Sequence, residues 1–541
     1  MRGMAVVKGV LTLQRDLPAR EAVLYFAPLT WPVCKGEAFG LDRFVVRPGQ
    51  WPNASPLQTV PAGAKVNLRT KTAIILLVCL ALRLLFFALV QPWTPLVEEQ
   101  ILLQRDALGY HQLASTLLDS GRFAYTPTGE PEALRTPLYP MFVAGTYAVF
   151  GREPWVALLF QIVLDALACF LLLKALARLF GDRVAILASL FYALDPFLIL
   201  YCSTLLSDTL FVFFVVAAFL ALSGAATAES PRKSAMGYGA SGLLLGLATL
   251  VRPIAEFAAA IFVAFIIFKH WRHLKRGVAY AAVALAVFAL TLAPWLVRNG
   301  SVFGAYSLST SGPYNLLILN VVPMEMTERG QSAGEVRAAL MAEAGEVMAR
   351  DGFQPGDLTP FEQAGYWQKL ALRYVRAKPL QFGQTYLLGI LHTFANLDTS
   401  GYAQMLRLPV GRLDIKAYTN LLDLAKAFLQ QKGAAGLLIA VLIAPYLLST
   451  YLGAAVGLFA AWKRHDRWFL TLCLLITLYF VAATGAGGLA RFKLPAIPFY
   501  LPFTAIGLLW LRDRAELSHH RGHREHRGSN INHQDTKTQS I

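Results

Sequence analysis

Charge is what this chain has least of. Only 15% of its 541 residues are Asp, Glu, Lys or Arg, against about 25% in an ordinary soluble protein. That shortage excludes a soluble globular chain, a disordered chain and a polar repeat array. Acidic residues are the scarcer sign, 33 against 49 Lys plus Arg, leaving a net charge of +16. Cysteine is also sparse. Cys34, Cys79, Cys169, Cys202 and Cys473 form no CxxC pair, which argues against a disulfide framework or a zinc knuckle. Four of them lie in or beside apolar runs and read as buried, inert thiols.

A clean signal peptide is missing as well. Within residues 1–71 the one apolar patch, Val23-Leu24-Tyr25-Phe26, is cut short by Pro28 and Pro32 and is too short to span a bilayer. This segment reads as a poorly ordered cytoplasmic leader or as the product of an upstream start at Met1. At the other end, residues 512–541 include His519-His520-Arg521-Gly522-His523. Such a tract sometimes binds metal; here it reads as a solvated basic tail.

What is present is hydrophobic, 56% of the residues. Strong apolar runs fall at about 72–91, 154–176, 184–201, 205–224, 236–251, 254–269, 277–297, 434–461, 468–484 and 493–511. Each approaches the roughly 20 residues a spanning helix needs. The expected fold is an all-α polytopic membrane protein with about ten spans. Short-loop charges set its orientation. Lys174, Arg178 and Arg183, then Arg232 and Lys233, then Lys269 to Arg276, then Lys463 and Arg464, all fall on one side with a count of ten. Both termini are then cytoplasmic, and two long loops, 92–153 and 298–433, face outward. Residues 380–396 are fairly apolar, but counting them as a span would break that pattern. They read as a helix along the outer interface. The basic excess thus sorts by membrane side, which excludes a nucleic-acid role.

Four arginines escape this sorting. Arg135, Arg252, Arg298 and Arg491 all fall at the outer face. One such arginine can simply snorkel to headgroups; four together suit a phosphate, because the guanidinium fork binds oxyanions bidentately. At this depth the phosphate carrier is a lipid. In the first outer loop, Asp106 and Tyr110 are one helical turn apart and share a face. Arg135-Thr136-Pro137-Leu138-Tyr139-Pro140 follows as a proline-stiffened turn. Asp195 and Asp208 lie near span ends, where acids mark functional sites by default. Asp195, directly before Pro196, reads as the cap of a break, and Asp208 as a partner for an outer arginine. The second outer loop carries two amphipathic helices, 335–350 and 361–374, and reads as a lid or acceptor-selecting region without an evident catalytic residue.

Asp106 with Tyr110, Ala114 and Gly121, followed by Arg135-x-Pro137-x-Tyr139-Pro140, resembles the first outer loop of the GT-C glycosyltransferases. The likeness is to the bacterial branch of the protein O-mannosyltransferase family, which includes the lipid A aminoarabinose transferases. Later segments agree: Gly242 and Gly246 leading to Arg252-Pro253; Pro294-Trp295 before Arg298-Asn299; Gly312, Asn315 and Asn320; and Arg491-Phe492-x-Leu494-Pro495-x-x-Pro498. The resemblance covers about 72–511 and implies a GT-C-like fold. It also implies a sugar donor carried on a polyprenyl monophosphate and transferred at the outer face of the cytoplasmic membrane to a lipid, glycan or protein. Asp106 takes the position of the acidic residue at the reaction centre, where a carboxylate receives the acceptor's proton. Single displacement there inverts the anomeric carbon. Arg135 takes the position of the donor-phosphate ligand, Arg491 that of the late arginine, and Arg252 and Arg298 stand behind them. Relatives often carry Asp-Glu where Asp106-Ala107 stands, a departure that makes a metal site in this loop less expected; no cofactor is expected beyond the lipid-linked donor. Tyr110, His111, Tyr139, Asp208 and Asn315 are candidates for sugar or acceptor contacts. For Tyr110 packing is an equal reading, for His111 an interface position pointing elsewhere is the plainer one, and relatives often carry Glu at the position of Asp208. A transporter or flippase of a lipid-linked sugar is the runner-up function, though no inverted halves or midplane breaks are evident; a non-catalytic scaffold is the third.

Overall fold

The apolar runs become helices, and the helices account for nearly all of the structure, a computed structural model that describes residues 67–409, 421–461 and 467–535. Among these residues the only β contact is an isolated bridge between Ala124 and Pro131. The leader residues 1–66, the inner-loop pair Lys463-Arg464 and the last residues 536–541 lie outside the described residues, as do the side chains of the histidine-rich tract.

In chain order, α1 (Leu68–Val90) is a long apolar helix, and α2 (Asp106–Ser120) and α3 (Leu138–Phe150) belong to the first loop. Next come α4 (Pro154–Phe180), α5 (Asp182–Leu194), α6 (Pro196–Cys202), α7 (Asp208–Ala226) and α8 (Pro231–Val251). After α9 (Ala258–Lys269) and α10 (Leu274–Phe303), the second loop carries α11 (Ala333–Arg350), α12 (Pro360–Ala377) and α13 (Pro379–Ala395). The chain closes with α14 (Leu421–Ala461), α15 (Arg467–Ala482) and α16 (Ile497–Asp535).

The all-α polytopic class is as expected; the count of about ten spans is not confirmed. Among the described residues, seven helices have the length and apolarity to cross a membrane, and the α5–α6 pair makes an eighth if taken as one broken span. The other two expected spans are short. Helix α9 has 12 residues and α15 has 16, so at 1.5 Å per residue they extend about 18 and 24 Å, less than the roughly 30 Å of a hydrocarbon core. Local chemistry shortens both. Arg252 is extended before Pro253, and Pro253–Ala255 form a 3-10 turn, so the helix starts only at Ala258. Beyond α15 the chain turns at Gly485, whose φ of +66° suits glycine. The 17-residue α13 also falls short of a span. It lies against the Gly485-Ala486 turn, where Gly389 leaves room for that backbone.

The α5–α6 break has a visible cause. Asp195 accepts hydrogen bonds from Phe197 N at 2.9 Å and Leu198 N at 3.0 Å, and the axis turns by 52°. The residue capping α6 therefore also ends α5, as its place before Pro196 suggests. Helices α14 and α16 cross closely at Gly457 and Gly507, where an added Cβ would overlap the facing backbone, and at Gly453, where it would come 3.1 Å from the Thr504 side chain. Close crossings at small residues are how membrane helices gain packing without a hydrophobic driving force. A large core links the spanning helices, while Leu317, Val321, Val336, Leu340, Met348 and Leu370 build a separate small core within the second loop. The two amphipathic helices expected there are α11 and α12, each opened by a capping box, Ser332 with Glu335 and Thr359 with Glu362.

Candidate active site

Asp106 is the first residue of α2, outside the spanning helices. Arg105 before it has φ +51° and ψ −116°, a conformation that costs a non-glycine residue about 1–3 kcal/mol and is typical of functional sites. One turn on, Tyr110 donates through its hydroxyl to Ser207 Oγ at 3.2 Å. Its ring supports the Arg135 guanidinium, 4.4 Å from the centroid. Gly109 keeps the α2 surface flat there: an added Cβ would come 3.3 Å from the Tyr125 ring and 3.6 Å from Arg135 Nε. Thr136 donates to Val251 O at 3.0 Å and so ties this loop to the end of α8, directly before Arg252.

The Asp106 carboxylate lies between two cations from distant parts of the chain. Arg135 Nη2 donates to Oδ1 at 3.0 Å and Arg491 Nη2 to Oδ2 at 2.8 Å. Burial pushes the carboxyl group up. Arg491 and Arg135 outweigh it and hold Asp106 well below the usual carboxylate range. Each arginine keeps a buried Nε–H with no hydrogen-bond partner. An unpaired buried donor is costly, and here two of them flank one carboxylate.

These groups open into a cavity of about 390 Å³. Arg252 also lines it, paired with Asp208, whose carboxylate is buried at the start of α7. Asn315 lies on the wall, and its carbonyl accepts from Asn320 Nδ2 at 3.1 Å. Asn320 Oδ1 in turn accepts from Ala486 N at 3.0 Å, bracing the turn that leads to Arg491. Arg337 of α11 lines the cavity too and donates to Tyr314 Oη at 2.8 Å. The cavity therefore holds four arginines, 135, 252, 337 and 491, against Asp106 and Asp208.

Of the residues singled out from the sequence, Asp106, Tyr110, Arg135, Asp208, Arg252, Asn315 and Arg491 line this cavity, and three do not. Arg298 turns away. Its Nη1 donates to Glu132 O at 3.1 Å and Asn299 Oδ1 at 2.8 Å, and the guanidinium stacks on Trp295 and Phe303. It organises the first loop instead of facing a ligand. His111 Nδ1 is 2.9 Å from Tyr147 Oη, and burial, then Arg152, pushes its pKa down. Tyr139 is fully buried and donates to Gln161 Oε1 at 2.7 Å. Its ring packs edge-on against Tyr110. Spacing alone cannot separate these from cavity residues, since all three sit in the same apolar and polar pattern.

Sequence reasoning missed Arg337, Ser207 and Tyr314; Asn320 entered it only as part of a motif. Their only sequence signal is the helical spacing that puts Arg337 one residue after the buried Val336. It also missed the intramembrane pair Arg83–Asp165. There a fully buried guanidinium meets the carboxylate and donates from Nη1 to Ala193 O at 2.8 Å, while Tyr192 Oη donates to Asp165 Oδ1 at 2.8 Å.

Among known proteins, residues 134–297 match the family model of dolichyl-phosphate-mannose-protein mannosyltransferases. The family expected from the motifs is the one this segment matches. The segment includes Arg135, Asp208 and Arg252, begins after Asp106 and ends before Arg298 and Arg491. No curated protein matches the chain. Among solved structures, the chain is similar to the oligosaccharyltransferase AglB of Archaeoglobus fulgidus in complex with an inhibitory peptide and a dolichol-phosphate. That match has TM-score 0.49 and 15% identity over 84% of this chain and 52% of the other. It is also similar to ArnT of Cupriavidus metallidurans bound to undecaprenyl phosphate, with TM-score 0.40 and 14% identity over 81% and 77%. The S. cerevisiae Pmt1-Pmt2 O-mannosyltransferase complex follows, with TM-score 0.33 and 17% identity over 47% and 36%. The chain spans about half the length of the oligosaccharyltransferase structures it matches.

Proposed function

We propose that this chain is a membrane glycosyltransferase that moves a sugar from a polyprenyl monophosphate donor to an acceptor hydroxyl, without a metal or other cofactor. The observation that carries this reading is Asp106 held between Arg135 and Arg491 in a cavity with surplus positive charge. The acceptor hydroxyl gives its proton to Asp106 as its oxygen attacks the anomeric carbon, the sugar–phosphate bond breaks, and the bonding pair leaves with the polyprenyl phosphate. Configuration at the anomeric carbon inverts. Arginines directed at the leaving phosphate stabilise the charge it gains.

The same arginines set the timing. While both are committed to Asp106, its carboxylate is a weak base. A donor phosphate offers a competing acceptor to Arg135 and Arg491, whose Nε–H groups are still unpaired. Drawing those guanidinium groups toward the phosphate frees the carboxylate and raises its basicity, so donor binding arms the base. Arg252 remains neutralised by Asp208 and serves chiefly to fix the cavity wall. Following the charge pattern of the loops, the site faces the outer side of the cytoplasmic membrane, with both termini inside.

Reconstitution with a labelled polyprenyl-phosphate sugar and a membrane extract tests this reading. Asp106→Asn is expected to lower transfer by about 10²–10⁴-fold, the range for loss of a general base, with polyprenyl phosphate still bound. Undiminished transfer in that variant would remove Asp106 from the mechanism. Movement of intact donor across the bilayer would replace the enzyme with a flippase.

A further inference from the structure

Helix α13 has two unlike faces. It carries no Asp, Glu, Lys or Arg from Pro379 to Ala395. Leu380, Leu387, Leu388 and Leu391 fall on one helical stripe and are 63–75% exposed. A contiguous apolar stripe marks a membrane or protein contact, not a water-facing surface. Its surroundings favour lipid. The end of α13 abuts the spanning helix α14, where Tyr451 Oη donates to Phe394 O at 3.0 Å. Helix α14 leaves Val441, Leu442 and Leu448 61–69% exposed in the same way, so α13 joins a helix whose apolar side a bilayer already covers.

The opposite face grips the segment that delivers Arg491. Gly389 is buried and lies so close to the Gly485-Ala486 turn that an added Cβ would come 2.5 Å from Ala486 Cα. One turn earlier, Tyr386 Oη donates to Ala482 O. Just past the helix end, Asn396 O accepts from Lys493 Nζ at 3.1 Å. These contacts bracket residues 482–493, and Arg491 lies inside the bracket, reaching Asp106 Oδ2 at 2.8 Å. The bracketed segment holds Gly485, Gly487 and Gly488, with φ +66° at the first and +67° at the last. Such a glycine-rich stretch has little stiffness of its own, so its course is set by what it docks on.

We infer that α13 is seated through its leucine stripe in the acyl region of the outer leaflet, and that this seating holds Arg491 in place against Asp106 and the donor phosphate. This rests on the reading of the site as outward-facing and of Arg491 as a donor-phosphate ligand. Tyr386, Gly389 and Asn396 are positioning residues; none of them lines the cavity that holds Asp106 and the four arginines. A polar stripe would lift the helix toward water, and the glycine-rich segment would follow it. Misplacing a reacting group by about 1 Å can cost about 10²-fold in rate.

The full chain in lipid nanodiscs doped with a phospholipid bearing an acyl-chain diazirine is irradiated, and the adducts are located by mass spectrometry. Adducts are expected on the leucine stripe of α13. Undecaprenyl phosphate affinity, and transfer from a labelled polyprenyl-phosphate sugar across a pH series, are then measured on Leu387→Gln with Leu391→Gln and on Gly389→Ala. Both variants are expected to bind undecaprenyl phosphate about tenfold more weakly. Their transfer is expected to fail at a higher pH on the acid side, because Asp106 without Arg491 takes a proton more readily. The conservative pair Leu387→Ile with Leu391→Met is expected to match the unmodified chain. Because Leu387 and Leu391 are exposed, their variant keeps the test open if Gly389→Ala fails to fold. Absence of adducts on α13, as when a second copy covers the stripe, overturns the inference. So do an unchanged affinity and pH profile in the glutamine variant. Failure of the unmodified chain to bind undecaprenyl phosphate overturns the donor reading and this inference with it, and so is told apart from failure of the α13 coupling alone, where the unmodified chain binds and the variants match it.

Discussion

At Asp106 two opposing effects meet, and magnitude decides between them. Burial raises the carboxyl pKa, yet two guanidinium groups within hydrogen-bond distance lower it by more. Since the folded pKa is depressed, the stability the group contributes is complete above its unfolded-state pKa and is lost as pH falls from there through the lower folded value. The kcat/KM profile, which reports the free enzyme, is therefore expected to show no acid limb from Asp106 between about pH 5 and 8. Arg491→Ala removes one partner and lets the pKa rise, so an acid limb is expected to move upward in that variant together with a higher donor KM. A pH-rate series on both proteins checks this; an unshifted profile would mean that Arg491 does not control the carboxylate. The sequence already offered Asp106, Arg135 and Arg491 as candidates, because motif order and charge outside the loop pattern are one-dimensional signals. It did not separate Arg298 from the others. Whether a guanidinium faces a cavity or stacks on Trp295 and Phe303 depends on neighbours 3 to 5 residues away on a helix and on a loop carbonyl at Glu132.

At the level of single elements, caps and breaks were readable and lengths were not. Asp195 before Pro196 announced the break, and it caps α6 while also accepting from Tyr446 Oη at 2.8 Å. Asp195→Ala is expected to cost about 0.5–2 kcal/mol for the cap, plus the effect of leaving the buried Tyr446 hydroxyl with one partner fewer. Asp195→Asn keeps a side-chain oxygen for the cap and is expected to lose much less. Thermal unfolding in detergent compares the two, and equal losses would assign the effect to charge instead of capping. The short helices α9 and α15 escaped the sequence reading for a physical reason. Hydropathy marks how many apolar residues run together, but not whether an extended Arg252 or a left-handed Gly485 removes some of them from the helix.

For the whole molecule, the Arg83–Asp165 pair joins α1, α4 and α5 inside the spanning bundle, and Tyr192 completes it. Its desolvation makes it a poor source of net stability but an expensive thing to break. Asp165→Asn leaves a buried, unpaired guanidinium and is expected to destabilise by about 3–5 kcal/mol. The double variant Arg83→Met with Asp165→Leu is expected to recover most of that loss. Thermal denaturation of the single and double variants measures the recovery, and a double variant no more stable than the single one would show that packing at these positions matters more than charge. Membrane character and helical class could be recognised from sequence, and Asp106, Arg135, Arg252 and Arg491 could be named as candidates, because each depends on local composition, on spacing or on an ordered set of motifs. The cavity that opens at Asp106, the commitment of Arg252 to Asp208, and the entry of Arg337 from the second loop could not. They join residues as many as 385 positions apart, as Asp106 and Arg491 are, and chain folding alone brings such residues within hydrogen-bond reach.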